Sequence, residues 1–194
     1  MRRAGPAMLL LLPFAAGAEP SVSKSMEPEE RAPEVRNWGN LRIGGAVGGG
    51  DGRPEICGEF APLDFLSIEG CGSGAGILHD EAVNEASHYR VKLRLLRFDA
   101  GPLLLEPVVG VGMIELQVGK DDVGFRFEDV GPRGVETAGV EAMGGLRALF
   151  PVGAGFELVG ELALGVGYTP EAPQLVLPQP EMPVFGAMTV GLGF

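Results

Sequence analysis

The stretch Val184 to Phe194, VFGAMTVGLGF, alternates with a period of two. Gly186, Met188, Val190, Leu192 and Phe194 make one mostly apolar face, and the residues between them are mainly small. That period belongs to a strand, not a helix. A bare apolar strand at a sheet edge invites pairing with another chain. A barrel whose last strand pairs with its first has no such edge. The stretch therefore predicts a closed barrel, provided the rest of the chain supplies the other staves.

It does. From Leu41 onward, alternating stretches separated by turn residues predict strands at about 40–48, 55–61, 65–77, 87–97, 103–118, 135–149 and 155–168, with 184–194 as the eighth. Eight is the smallest usual number for a membrane barrel. Three connections are tight (62–64, 98–102, 150–154), while Lys120 to Arg133 and Thr169 to Pro183 are long and polar. Short turns at one end and long loops at the other are the outer-membrane pattern, and an even strand count puts both ends of the chain on the short-turn side.

The two faces differ chemically. Tyr89, Val91, Leu93 and Leu95 alternate with His88, Arg90, Lys92 and Arg94. The charged face as a whole carries Arg42, Glu59, Glu69, Arg90, Lys92, Arg94, Glu106, Glu141, Arg147, Glu157 and Glu161, of mixed and nearly balanced sign. A lipocalin-like soluble barrel would turn these charges outward and carry an apolar ligand. Three features favour the inverted arrangement. Phe60, Phe150, Phe156 and Phe194 fall near the short-turn rim and Tyr89 and Tyr168 near the long-loop rim, like two interfacial girdles. The charges have complementary partners within hairpins, as a closed interior requires. The chain also opens on an export signal: MRRAGPAMLLLLPFAAGA, residues 1–18, has a basic start, a short apolar run and small residues at a cleavage site. Residues 19–38 read as a flexible segment, leaving 39–194 as the barrel domain.

Cleavage would take the net charge from −11 to −13, since Arg2 and Arg3 leave with no acid. That balance argues against a nucleic-acid partner. Glycine, at 32 residues, is abundant without a collagen period. The Gly-rich run 44–50 precedes no helix and so is no phosphate loop. The two cysteines and two distant histidines lack the spacing of a metal site, and no cofactor is expected.

Hairpin arithmetic makes sharper expectations. Folding strands two and three about Asp64 sets Cys57 opposite Cys71, near what a disulfide needs in an exported chain. The same register sets Glu59 opposite Glu69, with Arg42, Arg90 and Arg94 as the neighbouring cations. Folding about Ala100 sets Arg94 opposite Glu106, and folding about Val152 sets Arg147 opposite Glu157. Such walls could line an ion path, but eight strands leave an interior that side chains fill, which favours a plugged lumen over a narrow channel.

On these residues, including the terminal strand that ends in Phe194, the chain resembles the small eight-stranded outer-membrane barrels typified by the OmpA transmembrane domain and OmpX. The resemblance implies an all-β, up-and-down transmembrane barrel in the outer membrane. It also implies Phe194 as the signal read by the barrel assembly machinery, outer-membrane lipid as surroundings, and a non-enzymatic role through surface loops whose ligand is unknown. Some small barrels of this kind modify lipid A with a histidine, a serine and an acid near the outer rim. Here His79, Glu81, Ser87 and His88 lie near one long-loop end, with none of those enzymes' motifs.

Overall fold

The computed structural model describes residues 38–48, 54–73, 84–118 and 133–194. The expected signal peptide, the segment that follows it up to residue 37, and the candidates His79 and Glu81 lie outside the described residues. The described strands are β1 Gly39–Val47, β2 Pro54–Leu63, β3 Leu66–Gly72, β4 Glu85–Arg94, β5 Phe98–Ala100, β6 Leu103–Gln117, β7 Glu136–Gly153, β8 Phe156–Tyr168 and β9 Val184–Gly193. Every pairing is antiparallel, in the order β4-β3-β2-β1-β9-β8-β7-β6-β5, and β4 also pairs with β6. That last pairing closes the sheet. Because β4 and β5 both run along β6, they are two pieces of one stave, and the barrel has eight.

The first and last staves meet from Asn40↔Gly193 to Val47↔Gly186. The Phe194 carbonyl extends this seam by accepting from the amides of Trp38 (2.8 Å) and Gly39 (3.1 Å). Beside it, the Cys57–Cys71 disulfide joins directly opposed residues of β2 and β3, and Glu59 faces Glu69 in the same register.

Two hairpins are set differently from the sequence expectation. Arg147 faces Glu161, and Glu157 faces Pro151. The cause is the turn. Ala154 (φ 53°) and Gly155 (φ 81°) both lie in the left-handed region, the pair of conformations a type I′ turn demands. Strand β7 therefore runs on to Gly153 with a bulge after Pro151, and the register shifts by four residues. In the other hairpin, Arg94 faces Val108, not Glu106, which faces Arg147 instead. Between Arg94↔Val108 and Phe98↔Leu105, the β4–β5 stave holds Leu95, Leu96 and Arg97 against only Glu106 and Pro107 on β6. That is a β-bulge, and it sits where Pro107 has no amide to give to the ladder. The third expected strand ends at Gly72, and residues 74–77 lie outside the described residues.

Glycine serves the inside of this narrow barrel. Gly191 faces Arg42, while Gly112 faces both Arg90 and Glu141, so long side chains cross over positions without a side chain. A Cβ on Gly112 would lie 1.9 Å from the Tyr89 carbonyl oxygen, whereas one on Gly160 meets nothing within 4 Å. Gly112→Ala is expected to lower the unfolding free energy by about 1–3 kcal/mol, as overpacking does. Gly160→Ala should shift it by less than about 0.5 kcal/mol, as a surface change does. Urea titration of the two variants checks both.

Candidate functional site: the charged lumen

Strand parity decides what enters the interior. On β4 the even residues His88, Arg90, Lys92 and Arg94 are all buried, while Val91 and Leu93 are exposed. Arg42 of β1, Glu59 of β2, Glu69 of β3, Glu106 of β6, Glu141 and Arg147 of β7, and Glu157 and Glu161 of β8 are buried as well. Arg147 and Lys92 have no exposed surface, and Arg42 keeps only 1 %. Isolated charges buried so deeply would cost several kcal/mol each. Here they neutralise one another.

The lattice has three shared carboxylates at its centre. Glu59 takes the Arg147 guanidinium in a fork, one arm at 2.9 Å, and also meets Arg42 (3.3 Å), Arg94 (3.3 Å) and Lys92 (3.5 Å). Glu69 accepts from Arg42, from Lys92 (2.8 Å) and from Arg90 (3.2 Å). Glu161 accepts from Lys92 (2.6 Å), Arg42 (2.7 Å) and Arg147 (2.6 Å). Asn40 and Thr189 steady Arg42, which donates to their side-chain oxygens at 2.7 and 3.3 Å. The facing of Glu59 and Glu69, costly on its own, is thus bridged by Arg42 and Lys92. Forked guanidinium–carboxylate contacts of this kind are the strong class of charged hydrogen bond.

Two satellites flank the centre. Toward the long-loop end, Glu141 meets Arg90 Nε at 2.7 Å and His88 Nδ1 at 2.6 Å. The Phe185 ring lies 4.6 Å from the His88 ring and 5.0 Å from the Arg90 guanidinium. Toward the short turns, Glu106 accepts from Arg97 at 2.6 Å. Its partner is therefore the residue that the bulge turns inward, in place of Arg94. Glu157 is buried, near the short turns.

Among the described residues, an apolar cluster that the alternation did not single out fills part of the lumen at the long-loop end, where Glu55 is buried as well. Ala172–Gln174 form a 3₁₀ turn within the segment expected to be a surface loop. Ala172 and Leu175 insert into one cluster with Ile114, Leu116, Val118 and Phe185. Backbone bonds fix the segment: Val176 N to Gly134 O at 2.9 Å, Arg133 N to Gln174 O at 2.8 Å and Thr169 N to Glu181 O at 2.8 Å. The signal was present as apolar Ala172, Leu175 and Phe185 among prolines, but only the closed sheet reveals that they pack on Ile114, Leu116 and Val118.

Of the rim candidates, Ser87 is buried on the opposite face of β4 from His88 and donates to Glu85 Oε1 at 3.2 Å, while His88 turns to Glu141 in the lumen. Adjacent strand residues face opposite sides, so the structure does not bring this serine and histidine together. Glu59, Glu69 and Glu161 offer oxygens within 4.8 Å of one another, a spacing a cation could use, but Arg42, Lys92 and Arg147 already occupy their lone pairs.

Removing one partner of such a lattice leaves buried charge uncompensated. Arg147→Met, which takes the forked partner from Glu59 and one of three cations from Glu161, is expected to cost about 3–5 kcal/mol. Arg147→Met combined with Glu161→Met should cost less than the sum of the single changes. A double-mutant cycle by urea unfolding measures the difference. No protein-family model, curated protein or solved structure matches this chain, so its role is read from the barrel's own chemistry.

Proposed function

We propose that the chain is a non-enzymatic outer-membrane β-barrel, exported by a cleaved signal peptide, with a side-chain-filled interior and a role carried by its long-loop end. The observation that carries this reading is the inversion of the barrel: its ions lie inside and its aliphatic side chains outside. Leu41, Ile43, Ile68, Val111, Leu146, Leu162, Leu164, Met188 and Val190 are all exposed. A continuous apolar surface of this extent on a protein marks contact with something apolar, and here it runs around the wall.

The rims support lipid as that surrounding. Trp38, Phe60, Phe65, Phe98, Phe150, Phe156 and Phe194 are exposed around the short-turn end. At the other end, the paired row Tyr89–Met113–Val140–Tyr168 is the last apolar one on its staves. Beyond it the residues of the same parity become Ser87, Glu115 and Ala138, then Glu85, Gln117 and Glu136, and all but Ala138 are polar and buried. From Phe156 to Tyr168 along β8, at about 3.3 Å per residue and a tilt of about 40°, the band stands about 30 Å tall. That matches the roughly 30 Å hydrocarbon core of a bilayer. Among the described outward positions between these rims, none is charged. A lipocalin-like carrier would need an apolar lumen, and the centre of this one is ionic.

At the long-loop end, the segment after β8 presents Val176, Leu177 and Met182 to the outside, a surface suited to contact with another envelope component. The partners on this reading are outer-membrane lipid around the wall and, by the resemblance, the barrel assembly machinery, with no cofactor and no nucleic acid.

Fractionation of expressing cells, followed by gel migration with and without boiling, tests the reading. Recovery in the outer-membrane fraction with a heat-dependent shift is the expected result. Recovery as soluble protein without a shift would overturn it.

A further inference from the structure

The disulfide hairpin gathers two kinds of metal ligand at one point. Cys57 and Cys71 face each other across β2–β3, and Glu55, two residues before Cys57, shares their inward face. All three are buried, and a Glu55 carboxylate oxygen and the two sulfurs lie within 4.8 Å of one another. Glu55 keeps only 4 % of its surface, and its Oε2 has no hydrogen-bond partner among the described residues. The neighbouring staves add positive charge: Arg42 stands opposite Cys57 on β1, and His88 opposite Cys71 on β4. Cations beside a thiol favour its thiolate. His88 is held by Glu141 through Nδ1 at 2.6 Å. A proton donated there leaves Nε2 its lone pair, the tautomer that a carboxylate imposes on a metal-binding imidazole.

From these residues we infer a redox-gated zinc site. With the disulfide reduced, Cys57, Cys71 and Glu55 hold one Zn²⁺ inside the barrel; with it oxidised, as the structure shows it, they hold none. Two thiolates and a carboxylate are a donor set for zinc, whereas calcium and magnesium take oxygen alone. On a tetrahedral ion with Zn–S near 2.3 Å the sulfurs stand about 3.8 Å apart. Directly opposed strand residues reach that span by side-chain rotation. The fourth position is open to water or to His88. Along the chain these residues form no metal motif; the hairpin register makes the cluster.

The exchange balances. A small dithiol reduces the Cys57–Cys71 bond to two thiols and becomes a cyclic disulfide, and Zn²⁺ then displaces the two thiol protons. In reverse, a disulfide oxidant takes two electrons from the thiolates and two protons from solvent and leaves as a dithiol. Cys57 and Cys71 rejoin, and the ion is released from Glu55. Cys57 and Cys71 keep only 3 % and 5 % of their surface, so either exchange takes place before the barrel closes. The closed barrel then retains the state in which it was assembled.

The site lies within one hairpin and stands or falls apart from the placement in lipid. The test is cobalt binding by the full chain folded under a phosphine reductant, in detergent micelles or, if it is recovered as soluble protein, in buffer. Circular dichroism follows closure of the barrel. One Co²⁺ per chain with an intense thiolate-to-cobalt absorption band is the expected result, and Zn²⁺ should displace it. The chain folded without reductant should show no band, and Cys57→Ser should lose it. Glu55→Gln should weaken Co²⁺ binding by roughly tenfold or more. A closed, reduced barrel without the band would overturn the site, as would a band in the oxidised chain or one indifferent to Glu55→Gln. So would a reduced chain that closes neither with Zn²⁺ nor without it.

Discussion

Charge neutralisation without bulk water is the condition on which this barrel depends. Five cationic side chains, those of Arg42, Arg90, Lys92, Arg94 and Arg147, are buried, and a low-dielectric interior makes each intolerable alone and strongly attractive to a carboxylate. The solution is sharing. Glu59, Glu69 and Glu161 each serve several cations, so no single pair holds the lattice, and six different staves are tied across the lumen. The sheet's closure and the lattice support one another: hydrogen bonding sets the parity that sends these residues inward, and the ions fill what would otherwise be a costly void.

The outer wall follows from the same parity. A strand that turns alternate residues to an ionic centre turns the ones between to the surroundings, and across the apolar band those carry no charge. The inversion of the usual globular arrangement is therefore a property of the whole sheet. Among the described residues it breaks past the Tyr89–Tyr168 row, where the same parity carries Glu85, Glu115 and Glu136, all three buried. There β4, β6 and β7 rise beyond the apolar band.

Much of this was legible in the sequence because a period of two survives in a single chain without knowledge of neighbours. The faces of β4, β8 and β9, the eight staves, and the Cys57–Cys71 and Glu59–Glu69 pairs needed only alternation and one tight turn. What failed was arithmetic across turns. The left-handed Ala154–Gly155 pair moved Arg147 from Glu157 to Glu161, and the bulge before Phe98 moved Arg94 away from Glu106. Turn conformation is a matter of one or two dihedral angles, which composition constrains weakly. The shared lattice was also out of reach, since Arg147 reaching Glu59 and Lys92 reaching Glu161 are contacts across the lumen that depend on closure. So was the apolar cluster at the long-loop end, where Ala172 and Leu175 lie in a proline-rich stretch with no period at all.

The bulge at Leu95 to Arg97 bears on how such a chain can change length over evolutionary time. Inserting or deleting one residue inside a stave would exchange its inward and outward sets, placing guanidinium groups on the aliphatic wall. Length changes within staves must then come in twos, or be compensated nearby, whereas the loops are free of the rule. At this bulge, as at the register shifts after Phe60 and Pro151, an odd residue is absorbed. There Leu95 and Leu96 both face outward, and Arg97 regains the inner face at a point close enough to the rim to keep its head partly in water. It is the one described stretch of β4–β5 where the frame of the stave has already been shifted and repaired.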